Sequence, residues 1–424
     1  MKKKLSYKIF LLALIALITS CTTPYNYTTN GFENAIVIEA TITNQLKKQE
    51  IKLSRTYKFE DEGPVFENGA TISITDDLGT VYGFDEESGI YLSEAEFKAS
   101  ADRTYQLHVK TKDGKSYSST AEKLTKETNI EDLYKNVTTK EGILGVEIKA
   151  KSYDPSNSSK YYRYEYDETY KVVAPKWSPY EAIAVPYSGP NSSLAPGDLV
   201  IQMRTKEAKT CYSNKKSDAI ILTSTNDLSE DRVDFPVRFI ASTDYSIANR
   251  YSILVKQFVQ NLSAFTFYQT LSKMSGSESL LSQNQPGFLA GNIKSDTDSS
   301  EKVIGFFDVS AYSEKRIFFN FSDVFPNEKL PAYPYDCPLA LSTPALEKEH
   351  IFPYCFEVNG GCGGPVVYSN ISLGNSVYFS GYNSLGIVPY PSKIPTPLLI
   401  EIYNIQCGDC TSFSSNIKPL FWID

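Results

Sequence analysis

Tyr161-Tyr162-Arg163-Tyr164-Glu165-Tyr166-Asp167 alternates aromatic and charged side chains. Successive side chains of an extended strand point to opposite faces, so Tyr162, Tyr164 and Tyr166 share one face and Arg163, Glu165 and Asp167 the other. A helix would scatter both sets around its axis. The stretch therefore predicts a strand with one aromatic face that packs against a second layer. Aromatic residues are abundant throughout, with Tyr 30 and Phe 23 against Met 3, a balance that favours sheet surfaces over helical cores.

Further strands are expected at 199–204, 219–223, 233–241, 250–259, 303–309, 316–321 and 398–405. One helix interrupts them: Ser263 is placed to cap it, Phe265, Tyr268, Leu271 and Met274 recur on one face, and Gly276 is placed to end it. Towards the N-terminus, short strands are expected at 36–42, 50–57, 70–75, 80–84, 89–92, 104–111 and 116–121. Asp77-Leu78-Gly79, Glu87-Ser88-Gly89 and Lys112-Asp113-Gly114 are turn signals between them. Strands this short and this closely spaced suggest an immunoglobulin-like or transthyretin-like β-sandwich over 34–125. The polar stretch 126–142 reads as a linker, and 143–424 as a larger β-rich domain of sandwich type with one or two helices. The expected fold class is all-β.

The first 20 residues have the form of a secretory signal. Lys2, Lys3, Lys4 and Lys8 make the basic end, and Ile9 to Ile18 is an apolar run too short to span a bilayer comfortably. The run closes on Leu17-Ile18-Thr19-Ser20-Cys21, which resembles the bacterial lipobox, and so predicts Cys21 as the lipidated residue and 21–33 as a tether. Acyl chains contribute about 0.8 kcal/mol per buried methylene, enough in combination to hold a protein to a membrane. No later stretch has the length of an apolar spanning helix, so the remainder is expected to be soluble and held by its lipid.

Hydrophobic residues at 41% and charged residues at 22% describe a globular chain. The formal charge is −8, and loss of the four signal-peptide lysines makes it more negative. That charge opposes phosphate backbones, so no nucleic-acid partner is expected.

Apart from Cys21 the cysteines are Cys211, Cys337, Cys355, Cys362, Cys407 and Cys410. An even remainder in an exported protein suggests disulfides, whose pairing the sequence leaves open. Cys407-Gly408-Asp409-Cys410 has CxxC spacing. A redox site would need its first cysteine at a helix N-terminus, whereas a strand-like stretch precedes this one, so a structural bridge is the expectation. Cys355 and Cys362 are too far apart for a zinc ribbon. The two histidines, His108 and His350, are read as solvated and are too few for multi-histidine zinc chemistry. No GxSxG elbow occurs. No metal or cofactor is expected.

The segment 174–197 carries Trp177, Tyr180 and Tyr187 among prolines. Long irregular loops of this composition serve recognition, and these three aromatics are the candidate contact residues. Pro331-Ala332-Tyr333-Pro334-Tyr335 and 387–397 share the character and would extend one aromatic rim. Asp296, Asp298 and Glu301 offer oxygen ligands for calcium, but without EF-hand spacing, and a solvated acidic loop is the plainer reading.

Gly69-Ala70-Thr71-Ile72-Ser73-Ile74-Thr75-Asp76 leading to Gly89-Ile90-Tyr91, Asn249-Arg250-Tyr251-Ser252-Ile253-Leu254-Val255, Pro286-Gly287-Phe288-Leu289-Ala290-Gly291-Asn292-Ile293, Val303-Ile304-Gly305-Phe306-Phe307-Asp308-Val309 and the closing CxxC before Pro419-Leu420-Phe421-Trp422, together with the lipobox, resemble an uncharacterised outer-membrane lipoprotein family of the Bacteroidota, a domain of unknown function typically encoded beside TonB-dependent receptors. The resemblance implies an envelope location and a receptor barrel as partner, and it supplies no catalytic residues. Thr22-Thr23-Pro24-Tyr25-Asn26-Tyr27 lacks the acids that often follow the lipidated cysteine of surface-displayed members, which leaves the face of the membrane open. The expected function is a non-enzymatic, lipid-anchored accessory that binds a ligand or docks on a receptor. The alternatives are a structural or adhesive envelope protein and, from another class, a carboxylate-based glycan hydrolase, whose paired acids are a tertiary fact no sequence discloses.

Overall fold

A computed structural model describes residues 34–57, 63–87, 89–185, 198–275, 289–344, 355–358, 361–383, 386–387 and 399–424. The N-terminal part contributes β1 (Ile36–Thr43), β2 (Glu50–Arg55), β3 (Val65–Phe66), β4 (Thr71–Asp76), β5 (Val81–Glu87), β6 (Ile90–Ser93), β7 (Thr104–Lys110), β8 (Ser116–Ser119) and β9 (Glu122–Lys123). The turns that join them are local in origin. Asp76 Oδ1 accepts from the backbone N–H groups of Leu78 at 3.0 Å and Thr80 at 2.8 Å, and Gly79 takes the positive φ of 85° that this turn needs.

Then follow β10 (Ile130–Lys140), β11 (Ile143–Asp154), β12 (Tyr161–Val173), β13 (Tyr180–Val185), β14 (Asp198–Met203), β15 (Thr210–Lys216), β16 (Ile221–Ser224), β17 (Asp231–Ala241), β18 (Arg250–Gln260), α1 (Leu262–Ser275), β19 (Ile293–Ser295), β20 (Val303–Asn320) and α2 (Phe321–Val324). The C-terminal part holds β21 (Leu341–Pro344), β22 (Cys355–Val358), β23 (Gly361–Pro365), α3 (Val366–Ser372), β24 (Ser376–Asn383), β25 (Gly386–Ile387), β26 (Leu399–Asn404) and α4 (Ile405–Gly408). The chain is mostly β, as its alternation predicts, with strands in several sheets packed as layers.

The largest sheet runs β15-β12-β18-β20-β1-β2-β6-β5-β4-β7-β8-β19. β1 is its junction. It pairs antiparallel with β2, and parallel with β20 from Ile36 beside Val303 to Thr43 beside Ser310. The sheet therefore continues from the N-terminal strands into those after residue 143. Gly305 makes the parallel approach possible: its φ is 151°, and a Cβ there would lie 2.2 Å from the Ile38 carbonyl oxygen. β20 is one strand where two were expected, because polar residues in its middle are held by partners. Asn44 Oδ1 accepts from Tyr312 N at 2.7 Å, and Ser313 Oγ accepts from Ile130 N at 3.0 Å.

A second layer, the antiparallel sheet β10-β11-β17, covers the tyrosine face of β12. Tyr162, Tyr164 and Tyr166 are all buried, and Tyr164 stacks on Phe235 of β17 at 5.8 Å. Burying a large apolar side chain contributes roughly 1.5–3 kcal/mol, and here each phenol also needs a partner. Tyr162 OH donates to Asp231 at 2.8 Å and Tyr164 OH to Gln257 at 2.9 Å. Much of the segment read as a linker is thus β10. It was disguised by being an edge strand, with Ile130 and Leu133 its only fully buried positions.

The opposite face of β12 is covered near Arg163 by α1, whose Tyr268 lies 4.8 Å from the guanidinium while Phe258 flanks it at 4.2 Å. Asn261, not Ser263, caps α1: its Oδ1 accepts from Ala264 N at 2.8 Å. Gly276 lies outside the described residues. No described helix is long and apolar enough to cross a membrane.

Candidate functional site

The CxxC loop is a knot that ties three segments together. Cys410 is bonded to Cys211 at the start of β15, and Cys407 to Cys337 in the irregular segment after α2, with Cα–Cα separations of 5.8 Å in both. The two CxxC cysteines are therefore bridged to distant partners and not to each other. Backbone contacts complete the knot. Lys176 N donates to Cys407 O at 2.8 Å, Cys410 N to Ala208 O at 3.0 Å, and Tyr333 OH to Gln406 O at 2.7 Å. Gly408 is required by this crowding, since a Cβ there would sit 2.8 Å from Lys176 O. Asp409 caps the following turn through Thr411 N at 2.9 Å and lies 3.5 Å from Arg204. Cys355 and Cys362 fall in the β22–β23 hairpin, where Glu357 faces Cys362, and their side chains lie outside the described residues.

Trp177 packs on the apolar cluster that surrounds the Cys211–Cys410 bond, together with Tyr245, Tyr333 and Phe413. Lys209 sits 5.1 Å from the indole ring, and the buried indole Nε1 has no hydrogen-bond partner among the described residues. Tyr333 meets Tyr245 edge-on at 5.2 Å, and Tyr335 approaches Phe413 at 4.8 Å. Burial pushes the phenol pKa values of Tyr333 and Tyr245 up, so both rings stay neutral contact surfaces. Trp177 and the 331–335 segment thus share one cluster. Tyr180 does not join it. It opens β13, in a stretch read as irregular, and packs with Tyr378, Ile400 and Ile402. Tyr187 and most of 387–397 lie outside the described residues, as do Cys21 and His350.

Beside this cluster, at the end of the large sheet where β12 and β20 finish and β18 begins, lies an open groove of about 540 Å³. Lys171, Val173, Asn249 and Arg250 line one side; Phe321, Phe325, Glu328 and Leu330 belong to the α2 segment, and Asp424 closes the far end. Its lining comes from separate stretches of the chain between Lys171 and Asp424, so no local pattern in the sequence discloses it. Arg250 is held in place, its Nη1 donating to Asn320 Oδ1 at 3.2 Å and its Nε to the Ile423 carbonyl. Leu330, in the lining, is 60% exposed, and Ile423, next to Asp424 in the chain, is 61% exposed. Trp422 anchors the C-terminal tail edge-on between Tyr212 at 5.0 Å and Phe318 at 5.9 Å. Both disulfides lie close in the chain to groove residues: Cys337 follows Leu330, and Cys410 precedes the tail that ends at Asp424.

The remaining candidates have their own partners. His108 Nε2 is 3.1 Å from Thr75 Oγ1. Glu301 accepts from Lys115 Nζ at 2.8 Å and Tyr117 OH at 2.9 Å, and Asp298 accepts from Ser300 N at 2.9 Å. Among the described residues no cluster of three or more His, Cys, Asp or Glu is placed to hold a metal ion. The groove offers shape, aromatic edges and both signs of charge, which are the means of binding.

Among solved structures, the chain is similar at 9% identity and a TM-score of 0.12 to "Biofilm associated protein - B domain", covering 67% of this chain and 85% of that one. No curated protein matches the chain. A family model matches residues 22–316, from the segment after Cys21 into β20. The chain belongs to the family described as "Domain of unknown function (DUF4249)".

Proposed function

We propose that the protein is an outer-membrane lipoprotein of the Bacteroidota type, anchored through Cys21, which works by contact as a ligand-binding or docking accessory of a TonB-dependent receptor. The groove is the contact site in this reading. One observation carries it: the groove and the start of the fold lie at opposite ends of β20. β1 enters beside Val303, and the groove is built around Asn320. An 18-residue strand extends up to about 60 Å at roughly 3.3 Å per residue. A tether leaving from Asn34 would therefore hold the protein by one pole and present the groove at the other. The groove's mixture of apolar and fixed polar groups suits a protein or peptide surface. Nucleic acid is disfavoured by the acidic balance of the chain.

Two measurements test the reading. Radiolabelled palmitate is expected to enter the wild-type protein, and the Cys21→Ser form to leave the membrane fraction. Purification of the wild type in mild detergent is expected to bring down a β-barrel receptor in stoichiometric amount. Absence of label, or an eluate free of barrel protein, contradicts the corresponding half of the proposal.

A further inference from the structure

The two disulfides of the knot differ in the way that decides their chemistry. Cys211 and Cys410 are both at 0% exposure, and the apolar cluster with Trp177 and Tyr333 encloses their bond. Cys407 is at 0% as well, but its partner Cys337 is half-buried, in a stretch where Asp336, Pro338 and Leu339 are exposed. Thiol–disulfide exchange requires a thiolate to reach a sulfur along the bond axis, so access selects both the bond and the sulfur attacked. Of the four bonded cysteines, Cys337 is the one that is not fully buried, and so the one open to approach.

The segment that carries Cys337 is poised to respond. From Phe325 to Ala340 it has no regular strand or helix. Its ties to the body include the Tyr333 OH bond to Gln406 O, the Ala340 N bond to Ile402 O at 3.1 Å, and the ring contacts of Tyr333 and Tyr335. Glu328 and Leu330, on the same segment, form one wall of the groove. The C-terminal tail, whose Asp424 closes the far end of the groove, stays tied to β15 through Cys211–Cys410 whatever happens at Cys337.

We infer that Cys337–Cys407 is a thiol-exchange site whose opening releases the α2 wall of the groove, while Cys211–Cys410 persists as the structural bond. The reductant is a dithiol. Its first thiolate attacks Cys337 Sγ, forms a mixed disulfide there and expels Cys407 as thiolate. Its second thiol then attacks the mixed disulfide, releasing Cys337 as thiolate and leaving as the oxidised dithiol. Two electrons pass from dithiol to protein, and the two expelled thiolates take up the protons that the dithiol gives up. The consequence for recognition rests on the groove being the contact site; the order of reduction does not.

The test uses the full-length protein in detergent without denaturant. Dithiothreitol is added for increasing times, the reaction is quenched with acid, and free thiols are alkylated after unfolding and located by mass spectrometry. Cys337 and Cys407 are expected to appear together, at least about tenfold earlier than Cys211 and Cys410, on the strength of access alone. Equal rates, or earlier loss of Cys211–Cys410, overturn the inference. In parallel, trypsin cleavage after the exposed Lys329 is expected to speed up about tenfold once the bond is open, by local release. Cleavage after Lys112, in the β7–β8 turn, should be unchanged. Cleavage after Lys329 at the oxidised rate overturns the release of the wall. Both readouts use wild-type protein, so they do not depend on Cys337→Ser or Cys407→Ser folding. Loss of receptor co-purification without any change in these rates would count against the contact reading alone.

Discussion

Arg238 of β17 places its Nε 2.9 Å from the carboxylate of Glu168 on β12, and Glu168 is 2% exposed. The pair crosses from the three-stranded layer to the large sheet. Tyr251 OH of β18 donates to the same oxygen at 2.5 Å, so one carboxylate holds two strands of one sheet and one of the other.

Removing one member of a buried pair strands the other. Arg238→Ala is expected to destabilise the protein by about 3 kcal/mol, read as a lower urea midpoint at unchanged slope. Glu168→Gln keeps an acceptor for Tyr251 and removes the charge that Arg238 neutralises, and should cost less. A loss for Arg238→Ala no larger than that of an exposed arginine such as Arg232 would refute the stitching role.

Asp154 closes β11 and governs the turn into β12. Burial pushes its pKa up, but hydrogen bonds from the side chain of Ser156 and from the backbone N–H groups of Ser156, Ser158 and Ser159 outweigh this and hold it well below the ordinary 3.8. A carboxylate with a depressed folded-state pKa contributes its full stability above the unfolded value and loses it as pH falls towards the folded one. Wild-type stability should therefore decline below about pH 4, partly through this group. Asp154→Ala should cost about 2 kcal/mol at pH 7 and less at pH 3. Urea unfolding of both proteins at the two pH values measures the difference, and a pH-independent gap would contradict the assignment.

The alternating tyrosines of β12 were legible because a period of two over several residues has one structural meaning. β10 was not, because an edge strand of an outer layer needs few apolar residues, and its charged positions look like those of a linker. The single strand β20 was hidden for a related reason: the stretch around Ser310 and Ser313 is polar yet fully paired. The disulfides illustrate a different limit. The sequence left the cysteine pairing open, and Cys407 and Cys410 reach Cys337 and Cys211, 70 and 199 residues away, partners that spacing along the chain does not select. Of the aromatics expected to act together, Trp177 and Tyr333 pack on one cluster, and Tyr180 is drawn off by the strand that it begins.

Gly408 links the knot to Trp177. A methyl group there would lie 2.8 Å from Lys176 O and 2.3 Å from Val377 Cγ2, so Gly408→Ala must displace the 174–177 turn. The expected cost is about 1–3 kcal/mol, as for other overpacked sites. In a Trp422→Phe background, the emission of Trp177 should also shift. Unaltered stability and emission would show that the turn is not held by the knot.

In the proposed function the groove is the place where another protein is met. A photo-crosslinking phenylalanine analogue at Leu330, in the lining, should yield in living cells one high-mass adduct containing an outer-membrane barrel protein. The same analogue at Asn136, on the outward face of β10, should yield none. Equal adducts at both positions, or none at Leu330 in a normally folded and anchored protein, would contradict the claim.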